Sequence, residues 1–325
     1  MPPIFTSSKI RARVNNTVEE LIIINLNIKS GRRFSAIIKK ARGNKARLAV
    51  FAVWAALSLL SITIIICAGH AVNALADGFF NNADAVNAIA STEGSTSAVN
   101  WYCKNNDTHA RPELPSELKS LTRNNGVWLG GEGCGKVIYL TFDAGYENGN
   151  VVKILDILKT KNVPGAFFVL DNLIRRNSEL VKRMSSEGHL VCNHTSHHKD
   201  MTKLTADEFK AELTTLEDTA RSVAGVELAK FYRPPCGTFS ERDLRLASEL
   251  GYKTVMWSYA YADWDNKTQM IPAKALDKLL GHTHEGMVLL LHPTSSTNAE
   301  ILSEFIDRMT ADGWRFGKLD ELTVG

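Results

Sequence analysis

The chain has 325 residues, 44% hydrophobic and 22% charged, a balance that fits one large or two ordinary globular domains and excludes a disordered or collagen-like polymer. Its net charge of +3 is unevenly spread: residues 1–47 hold eleven Lys or Arg against Glu19 and Glu20, which leaves residues 48–325 at about −6. A mildly acidic body behind a short basic segment gives no basis for a nucleic-acid partner.

Directly after Arg47 comes LAVFAVWAALSLLSITIIICA, 21 residues without a charge, and about 20 such residues span a bilayer. Residues 48–69 are therefore expected to form a transmembrane anchor. The basic 1–47 segment stays in the cytoplasm and everything after the span is extracytoplasmic. Ala74-Leu75-Ala76 before Asp77 offers the alternative of a cleaved leader and a secreted protein. Residues 70–136 read as a spacer rich in Ala, Asn, Ser and Thr followed by a loop-rich lead-in. Cys67 lies in the span, and Cys103, Cys134, Cys192 and Cys236 have no CxxC spacing, so they are expected as buried thiols or an incidental disulfide rather than a zinc ribbon.

Residues 137–325 form the regular domain. Strands are expected at 137–142, 165–170, 189–193, 229–232, 253–258 and 287–291, with a short closing strand near 315–319. Helices are expected at about 149–161, 177–187, 205–223, 240–250, 272–282 and 297–312, where KILDILKT and EFKAELTTLEDTARSV space their apolar residues by three and four. Thr205 with Glu208, and Ser240 with Asp243, have the pattern of helix-start capping boxes. Strands alternating with helices predict an α/β fold with a mainly parallel sheet or barrel.

Five polar groups stand at or just beyond the ends of these strands, the edge at which such barrels build active sites. They are Asp143 in VIYLTFDAG, the His194 and His198 pair in CNHTSHH, Arg233 in FYRPPCG, Asp263 in YADWD and His292 in VLLLHP. His194 and His198 lie close enough for one turn to aim both at a cation, with His197 a possible substitute, although an unliganded surface turn is equally compatible. Asp143 suits a general base or, more mundanely, a helix N-cap. Arg233 would hold that carboxylate ionised, or serve as an ordinary ion-pair residue. His292 could be a core residue or the general acid that an amine leaving group needs, with Asp263 raising its pKa. Trp264 offers a flat face for a sugar ring.

In order, TFDAG, HTSHH, RPPCG, ADW and LLLH resemble the five motifs of the polysaccharide deacetylases, carbohydrate esterase family four, also called the NodB homology domain. The resemblance covers about residues 136–322. TFDAGYENGN, CNHTSHHKDM, WSYAYADWD and LLLHPTSSTNAEIL resemble more narrowly the delta-lactam-biosynthetic de-N-acetylases, which act on N-acetylmuramic acid of spore-cortex peptidoglycan. It implies a distorted (β/α) barrel with fewer than eight units and a metal-dependent hydrolase acting on peptidoglycan glycan strands. In that scheme Asp143 is the base, Arg233 orients it, Asp263 tunes the acid His292, and Trp264 and Pro235 line the sugar groove. His194 and His198 would hold a divalent cation such as Zn²⁺, Mn²⁺ or Co²⁺.

Two positions depart from the broader family. Ala144 stands where a metal-binding Asp is usual, so only two protein ligands are expected, with Glu147 and Asn148 near enough in sequence to be considered. Ala260 replaces the first acid of a DxxDW motif. The alternatives are a deacetylase of N-acetylglucosamine or another acetylated polysaccharide, and a silent glycan-binding module.

Overall fold

The computed structural model describes residues 94–104 and 107–322, and Gly43 besides. Contacts divide the chain into Met1–Thr92 and Glu93–Gly325, and all the elements named here belong to the second unit. The expected span at 48–69 lies outside the described residues, among which no helix is long and apolar enough to cross a membrane.

The strands are β1 (Val99–Asn100), β2 (Gly126–Val127), β3 (Val137–Ala144), β4 (Ala166–Val169), β5 (Leu190–Asn193), β6 (Ala229–Tyr232), β7 (Thr238–Phe239), β8 (Lys253–Val255), β9 (Tyr259–Ala260), β10 (Met287–Leu291) and β11 (Arg315–Phe316). Helices α1 (Ser120–Arg123), α2 (Asn150–Lys161), α3 (Asp171–Arg176), α4 (Ser178–Ser186), α5 (Ala206–Thr219), α6 (Glu241–Glu249), α7 (Pro272–Gly281) and α8 (Ser296–Ala311) alternate with them. Among the described residues, nine strands form one sheet in the order β2-β8-β6-β5-β4-β3-β10-β9, with β11 beside the start of β3. Every pairing between its strands is parallel.

The sheet curls so that one stretch of chain serves both its sides. Lys253–Val255 pairs with β2 and β6, whereas Tyr259–Ala260 pairs with β10 at the far side. The single strand expected at 253–258 is thus two short ones. The change of partner is secured at Ser258, whose N–H donates to Val288 O and whose hydroxyl oxygen accepts the Val288 N–H. The closing strand expected near 315–319 is also different: β11 extends the sheet beside Val137 and Ile138 where β4 has not yet begun. The result is a curled parallel sheet flanked by helices, of the distorted-barrel type.

Strand alternation decides what faces where. On β3, Ile138, Leu140, Phe142 and Ala144 pack outward under the helices, whereas Val137 and Tyr139 join the interior cluster with Phe168, Cys192 and Val288. Thr141 and Asp143 therefore point inward as well. Both expected capping boxes are present, at Thr205–Glu208 and Ser240–Asp243. The helix expected at 205–223 is α5 to Thr219 and then one wider turn to Ala224, stopped by Gly225 at φ 64°. Helix α3 lies outside the expected helices, because six residues are too few to establish a helical period. The lead-in packs as part of this unit, with Trp101, Leu118, Leu121 and Trp128 burying against Phe239, Leu244 and Met256.

Candidate active site

Five strand ends meet at one edge of the sheet. Asp143 lies within the last two residues of β3, His194 directly follows β5, Arg233 follows β6, Asp263 lies three residues beyond β9, and His292 follows β10. A cleft of about 350 Å³ lined by His109, Thr283, Arg308 and Trp314 is separate from this edge and shares no residue with it.

The centre is an ion pair between Asp143 Oδ1 and Arg233 Nη1 at 2.8 Å. Arg233 is 0% exposed and every part of its fork is engaged. Nη2 donates to Thr141 Oγ1 at 2.9 Å, Nε donates to Val255 O at 3.1 Å, and the guanidinium carbon sits 4.1 Å from the centre of the Phe168 ring. Burial alone would favour the neutral acid at Asp143, but the charge and hydrogen bond of Arg233, aided by the charge of His292, outweigh it. The carboxyl therefore lies below its ordinary value and is ionised. Asp143 caps no helix: the residue ahead of α2 is Gly149 in a left-handed conformation.

His194 is buried, and its Nδ1 lies 2.8 Å from Arg233 O. Since a carbonyl only accepts, Nδ1 carries the proton and Nε2 keeps a bare lone pair, 3.6 Å from Asp143 Oδ2. Burial lowers its pKa to about 4 against the opposing pull of Asp143, so this contact joins a carboxylate to a neutral imidazole and is not an ion pair at neutral pH. His198 is exposed, and its ring meets that of His194 edge-on at 5.0 Å. His197 turns away, its Nδ1 3.0 Å from Glu212 Oε1, which removes it as a substitute ligand. Glu147 accepts from Gly149 N with one oxygen and keeps the other buried without a hydrogen-bond partner among the described residues, while Asn148 donates across to Thr294 O in the loop after β10.

Across the site, Asp263 is 1% exposed and accepts three hydrogen bonds. His292 Nδ1 reaches its Oδ1 at 2.7 Å, while His292 N and Asn298 Nδ2 donate to Oδ2 at 2.7 and 2.5 Å. Burial opposes a charge on His292, yet the hydrogen bond and charge of Asp263, then the charge of Asp143, prevail and raise its pKa. Trp264 is 62% exposed and stands 6.2 Å from the His292 ring. Pro235 is buried, with Cys236 exposed beside it, so Pro235 shapes the loop after Arg233 and has little surface to offer a sugar.

Residues 130–255 match the polysaccharide deacetylase family. The peptidoglycan-N-acetylmuramic acid deacetylase PdaA of Bacillus subtilis is 39% identical over 224 residues, 69% of this chain and 85% of that protein. The chain belongs to the polysaccharide deacetylase family. The structure of Bacillus subtilis PdaA, a family 4 carbohydrate esterase, superposes with a TM-score of 0.67 at 38% identity, over 70% of this chain and 97% of that one. A peptidoglycan-N-acetylglucosamine deacetylase of Bacillus cereus is 32% identical over 57% of this chain and 67% of that protein.

Deacetylases of this family generally depend on a cation. No group of three His, Cys, Asp or Glu side chains among the described residues is arranged to hold a metal. What is present does fit: a neutral imidazole whose tautomer is set by a backbone carbonyl, a second imidazole beside it, and a carboxylate oxygen facing the same lone pair. His194 and His198 would hold such a cation, with Asp143 beside it.

Several supporting residues of this deacetylase fold were not singled out from sequence. Asn298 bridges Asp263 to His292 O, and the Tyr261 hydroxyl donates to it in turn. Gln269 Nε2 donates to Asp263 O and Asp265 O, holding the Trp264 loop. Tyr146 is exposed and accepts from Asn266 Nδ2 across the gap between the loops after β3 and β9. The one available signal was the polar run SSTN following His292, which reads as an ordinary helix start.

Proposed function

We propose that this protein removes N-acetyl groups from cell-wall glycan, with N-acetylmuramic acid of peptidoglycan as its sugar. The observation that carries the reading is the opposition of two differently tuned groups at one strand edge. Asp143 is held ionised by a buried arginine, and His292 is held towards its protonated form by a buried aspartate. A pure binding module has no use for such a base and acid, whereas amide hydrolysis needs both.

Asp143 takes the proton of the attacking water at Oδ2, because Oδ1 is pinned by Arg233. His292 gives up its proton from Nε2, since Nδ1 is committed to Asp263. As the carbon–oxygen bond forms, the carbon–nitrogen bond breaks and the nitrogen leaves as an amine, giving acetate and a free amino sugar. A divalent cation (Zn²⁺, Mn²⁺ or Co²⁺) held by His194 and His198 would, when bound, polarise the acetamide carbonyl and bring the pKa of a coordinated water towards roughly 7. Trp264 offers the sugar a flat apolar face.

N-acetylmuramic acid is favoured over N-acetylglucosamine by the higher identity and fuller coverage of the muramic acid deacetylase among the relatives. The delta-lactam-type motifs point the same way and suggest a role in spore-cortex maturation. Residues 48–69 anchor the chain in the membrane with residues 70–325 outside, or release it after cleavage near Ala76; both readings rest on hydropathy and flanking charge. The test is acetate release by the full-length protein from peptide-stripped peptidoglycan strands and from chitooligosaccharides in parallel. Faster release from the peptidoglycan strands is expected; preferential release from chitooligosaccharides would make N-acetylglucosamine the substrate.

A further inference from the structure

Resting on the metal reading above, we infer that Glu212 on α5 is the positioning residue that sets the cation affinity of the histidine turn. The two histidines are held in unequal ways. His194 is fixed by its own bonds, its N–H to Val169 O at 3.1 Å and its Nδ1 to Arg233 O at 2.8 Å. The His198 ring has no hydrogen bond among the described residues and is exposed; only its N–H is held, by Thr195 Oγ1 at 3.0 Å within the same turn, on a backbone at φ 55°. Thr195, at the start of the turn, is also left-handed at φ 73°, and this region is uncommon for residues other than glycine. Such a turn persists only where its surroundings over-determine it.

Glu212 supplies that restraint. Its side chain is only 4% exposed. One oxygen accepts His197 N at 2.9 Å, and the other faces His197 Nδ1 at 3.0 Å and Lys199 Nζ at 2.9 Å. Its backbone carbonyl accepts Ser196 N at 3.1 Å and Ser196 Oγ at 3.0 Å. Five contacts from residues 196–199 thus converge on this residue of a rigid helix, on both sides of His198. A charged acceptor bound to a backbone N–H is among the stronger hydrogen bonds, and outer groups that orient a ligand alter metal affinity roughly 10–100-fold when removed. With only two protein ligands, a displaced His198 halves the protein's contribution.

The test is calorimetric titration of Zn²⁺ into the full-length metal-free protein, wild type against Glu212→Ala and Glu212→Gln. It is run at a temperature where circular dichroism shows all three folded. The expected result is Zn²⁺ affinity lowered roughly 10–100-fold in Glu212→Ala and less in Glu212→Gln, which keeps one acceptor for His197 N. Should Glu212→Ala fail to fold, Glu212→Gln alone decides. Wild-type affinity in the folded variants, even with a lowered melting temperature, would show a merely structural role and overturn the inference while leaving the site intact. Failure of the wild-type protein itself to bind Zn²⁺ would overturn the metal reading, and this inference with it.

Discussion

Asp263→Asn changes one atom, and the count of donors around that position decides what it does. The carboxylate receives three hydrogen bonds, from His292 Nδ1 on one oxygen and from His292 N and Asn298 Nδ2 on the other. An asparagine offers one acceptor and one donor group. Placing its oxygen towards His292 N and Asn298 Nδ2 satisfies two bonds and turns its NH₂ towards His292 Nδ1; the opposite flip satisfies one bond and sets its NH₂ against two donors. The first orientation wins, and it forces Nδ1 to act as an acceptor. His292 then carries its single proton on Nε2 as a neutral imidazole, and protonation at Nδ1 meets an N–H instead of a carboxylate. The acid is disabled without being removed. General acid catalysis contributes about 10²–10⁴ in rate, so kcat should fall by that factor, or about 2.7–5.4 kcal/mol, with KM little changed. Acetate release from peptide-stripped glycan, followed alongside the melting curve of the variant, measures this. A folded Asp263→Asn protein turning over within threefold of wild type would refute the assignment of His292 as the acid.

Three further outcomes follow from the same geometry. Because the pKa of His292 is raised in the folded protein, its protonated form persists to higher pH. The alkaline limb of kcat/KM should reflect its loss of a proton, and any stability it contributes is present below its unfolded pKa and fades as pH rises through the folded one; a pH–rate profile unaffected by Asp263→Asn would contradict this. Arg233→Met breaks a buried pair and strands the Asp143 charge, so it should destabilise the fold by about 3–5 kcal/mol in urea unfolding as well as abolish activity; a change within 1 kcal/mol would be inconsistent with the observed burial. Trp264→Ala, at an exposed position, should raise KM for glycan by roughly tenfold or less while leaving the melting temperature within about 1 °C, and an unchanged KM would remove it from the groove.

The strands that carry the site could be read from the sequence because each is a short apolar run ending in a polar residue, and strand alternation then sends Asp143 inward beside Thr141. Convergence of Asp143, Arg233 and His194 follows from parallel strands sharing one end. The edge-switching at Ser258 was not legible, since TVMWSYA reads as one continuous strand and only the curl of the sheet divides it between two partners. Nor were Glu212, Asn298 and Gln269: each acts through a hydrogen bond to a loop 15 or more residues away or through a turn closed by tertiary packing, and such bonds leave no periodicity. His197 looked equivalent to its neighbours in HTSHH, and only the carboxylate of α5 distinguishes it. Pro235 beside the site was legible, but its burial depends on the fold of the loop.

The most direct test of the account is acetate release from peptide-stripped peptidoglycan strands by wild-type and Asp143→Asn protein at equal concentration. Turnover by the wild type and a loss of at least about 10² in the variant are expected, because an amide cannot take the proton of the attacking water. Asp143→Asn protein that releases acetate at the wild-type rate would contradict it.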